Sequence, residues 1–411
     1  MIQRRKLTKQ LWFFLLLVLF VEGGLVEAQS QTPEERDFAL DVPVLHTSPL
    51  PKYALSNLDY GMTIGIEKTR GGKIWACWVA GGDDENGFFI LSRSSDKGNS
   101  WSPPLLVIDP HDTTLSKKRR TLVGSLWLDP LNRLWLFFDQ SMTYFDGRAG
   151  AWYTVCENPD SARPVWSTPK RIWHGCTLNK PIVLKSGEWM LPISLWDRGK
   201  MHPSLSEKYL ELDSLRKAHV FLSTDSGKTW NRAGAVAFPH PEFDEHQLIE
   251  LSDGRIWMTA RTAIGMYESF SADKGQSWSP PQPSSIQHIN SRHFLRRLNS
   301  GRLLLVKHGL TVDQRTKRRS QLTAFLSDDE GKTWRGGLVL DERRGVSYPD
   351  GFQDSDGNIY ISYDRNRDTD GHILMARFTE DDVFKKKFDS RKSFSKKFIS
   401  QPGAIETNIR Q

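Results

Sequence analysis

Six stretches of the chain share one pattern: a turn residue, one or two polar positions, then an apolar, aromatic-rich run of strand length. They are residues 72–78 (GKIWACW), 132–138 (NRLWLFF), 187–193 (GEWMLPI), 254–260 (GRIWMTA), 301–307 (GRLLLVK) and 357–363 (GNIYISY). Short apolar runs bounded by Gly, Pro, Asp and Ser read as buried strands entered through tight turns. Their starts recur at roughly 45 to 70 residues, near the period of four-stranded propeller blades. Six hairpins predict an all-β chain folded as a six-bladed β-propeller, with a β-sandwich or β-helix as the alternative.

A second repeat supports that count. The spelling S-x-D-x-G-x-x-W occurs at residues 94–101, 223–230, 271–278 and 327–334, with a worn copy at 160–166. Each residue type has a local role. The Asp accepts backbone N–H bonds inside a turn, the Gly takes positive φ, and the Trp covers the apolar face of the hairpin. Such turns belong on the outside of blades, away from a central pocket. Residues 204–217 are the one stretch that reads as a short helix or a long loop between strands.

The 411 residues hold no Gly/Ser/Pro linker between Pro43 and Glu380, so the propeller is assigned to 43–382 as one domain. Residues 1–28 read as a secretory signal peptide. Arg4, Arg5, Lys6 and Lys9 precede an apolar run from Leu11 to Val21, too short to cross a bilayer comfortably, and Val26, Glu27 and Ala28 offer a cleavage site. Residues 29–42 become an N-terminal extension and 383–411 a basic, solvated tail. The mature chain is expected to be secreted or periplasmic without stable membrane insertion, a retained N-terminal anchor being the alternative. Cys77, Cys156 and Cys176 allow at most one bridge, and Cys77 lies in an apolar strand as a small hydrophobe. The formal net charge of +7 is concentrated at the leader and at Lys385, Lys386, Lys387, Lys396 and Lys397. No basic stripe interleaves with aromatics on a nucleic-acid module, so no nucleic-acid partner is expected. No His, Cys and carboxylate set has metal-ligand spacing.

The repeated boxes, with the strand at 91–96 leading into the first, resemble the Asp-box repeats of sialidases, and the resemblance covers essentially the whole mature chain. It implies a retaining exo-glycosidase with no cofactor, acting on a glycan that ends in sialic acid or a related acidic sugar. It also implies a Tyr nucleophile assisted by a Glu, an Asp acid/base and three Arg on the substrate carboxylate. A neutral phenol suits an anomeric carbon that bears a carboxylate, because an anionic nucleophile would be repelled. The phenol's ordinary pKa of about 10 then calls for a neighbouring base.

Carried over residue by residue, Glu245 in EHQLIEL matches the base and Tyr348 in GVSYPDG the nucleophile, with Pro349 where a small polar residue is usual. Arg261, at the end of the fourth hairpin, and Arg319, eight residues before Ser327, match two of the arginines, whose planar forks grip carboxylates bidentately. The acid falls at Asp83 or Asp84 in GGDDENG, with Asp84 slightly favoured; that loop also reads as a calcium loop or a polar turn. The first family arginine is missing, with Met62 near its place, and Arg292 is the candidate substitute charge. Two other readings stay open. One is a glycosidase or lyase for uronate-containing glycans, with His246, His293 or His308 moving the proton. The other is a non-catalytic glycan-binding propeller whose platforms are Trp196 and Tyr144.

Overall fold

Each of the six stretches forms the second strand of an antiparallel sheet in the computed structural model, which describes residues 37–389 and 391–403. Blade one is Met62–Lys68, Ile74–Ala80, Phe88–Ser94 and Leu106–Ile108. Blade two is Gly124–Leu128, Leu134–Met142, Gly150–Cys156 and Lys170–Trp173, with Arg119–Arg120 also paired to its second strand. Blade three is Ile182–Val183, Trp189–Ser194, Ala218–Ser223 and Asn231–Val236. Blade four is Pro241–Glu250, Ile256–Thr262, Gly265–Ser271 and Gln282–Pro283. Blade five is Phe294–Arg297, Leu303–His308, Leu322–Ser327 and Arg335–Asp341, and blade six Val346–Gln353, Ile359–Arg365, His372–Phe378 and Phe394–Ser400. The described chain is an all-β, six-bladed propeller of successive meanders. The second strands read as continuous apolar runs because sheets cover both their faces; Trp75, Trp135, Trp189, Trp257 and Tyr360 are all buried.

Among the described residues each blade is built from consecutive strands, with none exchanged to close the ring. Two carboxylates of blade six bridge the junction, capping backbone donors on the first strand of blade one. Thr63 N donates to Asp364 Oδ2 at 3.1 Å and Ile66 N to Asp350 Oδ2 at 3.0 Å. A buried N–H without a partner is costly, so each bond removes a penalty as well as joining the ends.

The four intact boxes occupy the turn between third and fourth strands of blades one, three, four and five, and they share one hydrogen-bond arrangement. In the first, Gly98 N donates to Ser94 Oγ at 2.7 Å, while Ser100 N and Oγ donate to the Asp96 carboxylate at 2.9 and 2.6 Å. Asp225, Asp273 and Asp329 repeat it. The box glycines press on the preceding blade. A Cβ on Gly227 would meet Trp135, one on Gly331 would meet Trp257, and one on Gly98 would meet Met375 of blade six. The box is therefore a spacer between blades, which explains both the glycine and the distance from the axis.

Several expectations change. The worn copy in blade two is not a box: Asp160 reaches across to blade one, where Gly71 N donates to it at 3.1 Å, and Trp166 packs edge-on against Trp75 at 5.9 Å. Blade six replaces the box with the helix Glu380–Lys385, capped reciprocally by Thr379 and Asp382. The region read as a solvated tail from residue 383 contains the fourth strand of blade six, Phe394–Ser400. Its lysines concealed the strand: Lys396 pairs with Glu342 and Lys397 donates to Asn99 of the first box. The stretch 204–217 holds two short 3-10 turns, Pro203–Leu205 and Leu210–Leu215. The signal-peptide reading of 1–28 lies outside the described residues. The described end of the extension is pinned to blade two, where Gln140 donates to the carbonyls of Ala39 and Asp41. No helix among the described residues is long and apolar enough to cross a membrane.

Candidate active site

Every blade sends one side chain toward the axis from the end of its second strand or the turn after it: Asp83, Tyr144, Trp196, Arg261, Arg319 and Arg367, in blade order. Together with Met62, Val123, Leu178, Phe243, Glu245 and Tyr348 they line a cavity of about 250 Å³. Blades four, five and six contribute the three guanidiniums, while blades one to three contribute an acid and two aromatic rings.

Glu245 and Tyr348 reach the cavity because the first strands of blades four and six are bulged. Register shifts between Pro241 and Asp244, between Asp244 and Gln247, and between Ser347 and Asp350. Phe243, Asp244 and Glu245 take φ of 65, 55 and 45°, and Tyr348 takes 52°. Left-handed backbone at such residues costs about 1–3 kcal/mol each and persists where surroundings enforce it. Here Asn179 Nδ2 donates to the Glu245 carbonyl at 2.7 Å and Ser194 Oγ to Asp244 Oδ2 at 2.5 Å.

The two side chains meet directly. Tyr348 Oη donates to Glu245 Oε1 at 2.7 Å, and Arg261 Nη1 donates to the same carboxylate oxygen at 2.9 Å and to the phenol oxygen at 3.3 Å. Burial and the Glu245 charge push the Tyr348 phenol up to about 12, against the opposing pull of Arg261, Arg367 and Arg319. The Arg319 guanidinium is held below its usual range by burial and by Arg367. Glu245 and Asp83 offset part of the charge of the three guanidiniums, and a further anion beside Arg319 would offset more.

Arg367 is the residue that sequence reasoning missed. It stacks on the Tyr348 ring at 4.1 Å, binds Asp364 Oδ1 through Nε at 3.0 Å, and donates from Nη2 to Ser347 Oγ at 2.8 Å. Burial works against its charge, yet Asp364 and Tyr348 hold its pKa well above the ordinary value. The Arg367 carbonyl accepts from Gly61 N at 3.3 Å. The last blade thus brings a third guanidinium to the cavity that Met62 also lines. The available signal was the turn after the second strand, the place that brings Arg261 and Arg319 inward.

Arg292, expected beside the carboxylate, does not line the cavity. It is 1% exposed, donates from Nε to Asn179 Oδ1 at 3.0 Å, and pairs with Asp350 at 3.5 Å. Of the two acid candidates, Asp83 lines the cavity and pairs with Arg367 Nη1 at 3.3 Å. Asp84, the favoured one, closes its own turn by accepting from Asn86 N at 2.7 Å and from Asn86 Nδ2 at 2.9 Å. His246, His293 and His308 lie off the cavity. Burial holds them at about 4, 3 and 4, with His246 bonded to the His219 carbonyl, His293 to Thr259 and His308 to the Val346 carbonyl.

Trp196 and Tyr144 form one wall, stacked at 6.2 Å, with Phe243 edge-on to Trp196 at 4.9 Å. Both are braced through their carbonyls, Tyr144 by the buried Arg120 at 2.8 Å and Trp196 by Arg216 at 2.9 Å. A larger cavity of about 420 Å³ shares none of these residues. Its buried Lys180 and Asp350 are engaged with each other at 3.0 Å, and it has no nucleophile beside a base.

Residues 72–361 match the BNR repeat-like domain family. No curated protein matches the chain. Similar solved structures include the Hadza microbial sialidase Hz136, at 17% identity over 80% of this chain and 69% of that one, with a TM-score of 0.61. The intramolecular trans-sialidase from Ruminococcus gnavus, in complex with oseltamivir carboxylate, is 12% identical over 82% and 98%, with a TM-score of 0.61. A protein of unknown function from Dyadobacter fermentans is 15% identical over 79% and 96%, with a TM-score of 0.57. At such identities the likeness is one of fold.

Proposed function

Starting from a chain that belongs to the BNR repeat-like domain family, we propose that it is a secreted or periplasmic retaining exo-glycosidase that releases a terminal sialic acid or a related acidic sugar. The observation that carries this reading is the 2.7 Å bond from the buried Tyr348 phenol to Glu245 within a set of three arginines. Arg261, Arg319 and Arg367 bind the sugar carboxylate. The Tyr348 oxygen attacks the anomeric carbon as its proton passes to Glu245, and Asp83 protonates the departing glycosidic oxygen. In the second half Asp83 takes a proton from water, water attacks the same carbon from the vacated side, and Tyr348 leaves with the proton held by Glu245. Two inversions give net retention.

The pair between Asp83 and Arg367 fits this sequence. A substrate carboxylate that engages Arg367 competes with Asp83 for it, which frees the Asp83 carboxyl to turn to the departing glycosidic oxygen. The Ruminococcus gnavus trans-sialidase, which shares this fold, was solved in complex with oseltamivir carboxylate.

The test is hydrolysis of an aryl sialoside beside an aryl uronide, together with a 3-fluorosialyl fluoride that slows the second half-reaction. Turnover of one acidic glycoside and a sugar adduct on the Tyr348 peptide are expected. Turnover that survives Tyr348→Phe, or activity confined to neutral sugars, overturns the reading.

A further inference from the structure

Arg319 and Arg367 line not only the catalytic cavity but also an adjoining groove of about 290 Å³, formed with Gly345, Ser347, Asn366 and Asp368. Gly345 N donates to the Arg319 carbonyl at 2.9 Å, which ties the turn before blade six to blade five. One residue further on each strand of that contact, at Arg318 and Arg344, begins a second, open depression of about 360 Å³. Its lining includes Gln314, Arg315, Lys317, Arg318, Gln321 and Arg344: four cations and no carboxylate.

Many cations elsewhere on the surface are paired with carboxylates, such as Arg302 with Asp328 and Glu380, Arg297 with Glu330, Lys274 with Glu188 and Lys396 with Glu342. The depression instead gathers four cations in one lining that holds no carboxylate. In the depression, Arg315 donates to the Ile264 carbonyl. Lys317, Arg318 and Arg344 are exposed, and among the described residues none of their side chains has an ion pair or a hydrogen bond. Clustered like charges repel one another, and a cleft lined with one sign concentrates ligands of the other.

We propose that the groove and depression hold the leaving portion of an acidic glycan, a chain whose second and later residues carry further carboxylate or sulfate groups. The proposal rests on the acidic-sugar reading of the cavity and adds that the substrate is a polyanion rather than a neutral glycan with one acidic cap. The terminal sugar sits at Tyr348, the scissile bond faces Asp83, and the chain leaves past Arg319 and Arg367 toward Arg318 and Arg344. Guanidiniums suit both anions, since they present parallel donors to carboxylate and sulfate oxygens alike.

The experiment measures binding of polygalacturonate, dextran sulfate and neutral dextran to the full chain. It uses wild type, the triple variant Lys317→Ala, Arg318→Ala, Arg344→Ala, and the control pair Lys386→Ala, Lys387→Ala, each with its thermal midpoint recorded. Wild type should bind at least one of the two polyanions, in a salt-weakened manner, and not dextran. The triple variant should bind roughly tenfold more weakly or worse with an unchanged midpoint, as expected for three partly screened ion pairs, and the control should match wild type. The two polyanions distinguish carboxylate from sulfate recognition. Absence of binding to both, equal binding by the triple variant, or equal loss in the control overturns the proposal, as does tighter binding of duplex DNA or phosphatidylglycerol vesicles. Tyr348→Phe should bind the polymer like wild type. Polymer binding at the groove without turnover of any acidic glycoside would sink the catalytic reading while leaving the groove assignment intact.

Discussion

The turn that follows the third strand of a blade and the turn that follows its second strand solve opposite problems. In blades one, three, four and five the former is nearly the same object. A Ser, an Asp and a Gly share one bonding arrangement, the glycine φ lies between 81 and 84°, and the glycine backs onto the neighbouring blade. The latter, or the strand end that leads into it, carries Asp83, Tyr144, Trp196, Arg261, Arg319 or Arg367, all turned to the axis. There the polar groups are held against their own interest: Arg319 beside Arg367, and Tyr348 pushed up to about 12. Repetition carries the scaffold, and the departures from it carry the chemistry. Substitutions at the axis should therefore change rate more than stability, and those in the boxes stability more than rate.

The largest effect is expected at the axial pair. Tyr348→Phe and Glu245→Gln should each lower kcat roughly 10³-fold or more, and the double variant should be little worse than either, because the phenol and its base act as one unit. Multiplying losses in the double variant would show that they act separately. Next comes Arg367→Ala. A charge-assisted bond contributes about 1.5–3 kcal/mol, so kcat/KM should fall about ten- to a hundredfold, mainly through KM. Arg292→Ala should do the reverse, lowering the thermal midpoint because Asn179 Oδ1 loses its donor and a large buried side chain leaves a void, while sparing KM. A KM defect in Arg292→Ala equal to that in Arg367→Ala would restore Arg292 to the substrate.

How far the chain could be read follows the same division. The blades were legible because a buried strand and a Ser-Asp-Gly turn are written locally, within eight residues. That Glu245, Tyr348, Arg261 and Arg319 gather in one cavity was the expectation of the resemblance to sialidases, whose motifs each of them matches at a set place relative to a hairpin or a box. Arg367 was passed over: its place after the second strand of blade six is a local signal, but its approach to Gly61 and Met62 depends on ring closure between the two ends of the propeller, which no local pattern encodes. Asp83 and Asp84 are neighbours of like chemistry, and only the direction of a turn separates them: Asp84 is committed to Asn86. The strand Phe394–Ser400 was hidden by its lysines, because an outer strand with solvent on one side tolerates charge that an inner strand would not.

The boxes supply the complementary test. Gly331→Ala places a Cβ 2.7 Å from Trp257 at a φ of +83°. Left-handed backbone and overpacking together should cost about 2–4 kcal/mol, read as a lower thermal or denaturant midpoint with kcat/KM unchanged in the folded fraction. A rate defect without a stability defect would contradict the division of labour between the two turns.

The smallest effect is expected from the box carboxyls in acid. Thr229, Ser277 and Thr333 donate through hydroxyl and backbone N–H to Asp225, Asp273 and Asp329, and hold those carboxyls at about 2. In Asp96 the bonds from Ser100 and Ser94 overcome an opposing burial effect to the same end. An unfolded Asp titrates near 3.9. A carboxyl lowered on folding stabilises the native state fully above the unfolded value, and that contribution fades as pH falls through the folded one. Stability should thus be level above about pH 7 and fall first below about pH 6.5, where the buried His246, His293 and His308 stay neutral in the fold while their unfolded counterparts take up protons; the box contribution then fades between about pH 4 and pH 2. Other lowered carboxyls, such as Asp109 beside His111, fade in the same acid range, so the box share must be isolated by difference. Ser277→Ala with Thr333→Val removes the hydroxyl donors and keeps the carboxylates. This variant should start less stable at pH 7 and lose less on acidification than wild type, because its box carboxyls titrate nearer their unfolded value. The sites are exposed and screened, so the difference should be small. Parallel acid profiles in variant and wild type would show that the hydroxyls shape the turn without holding its charge.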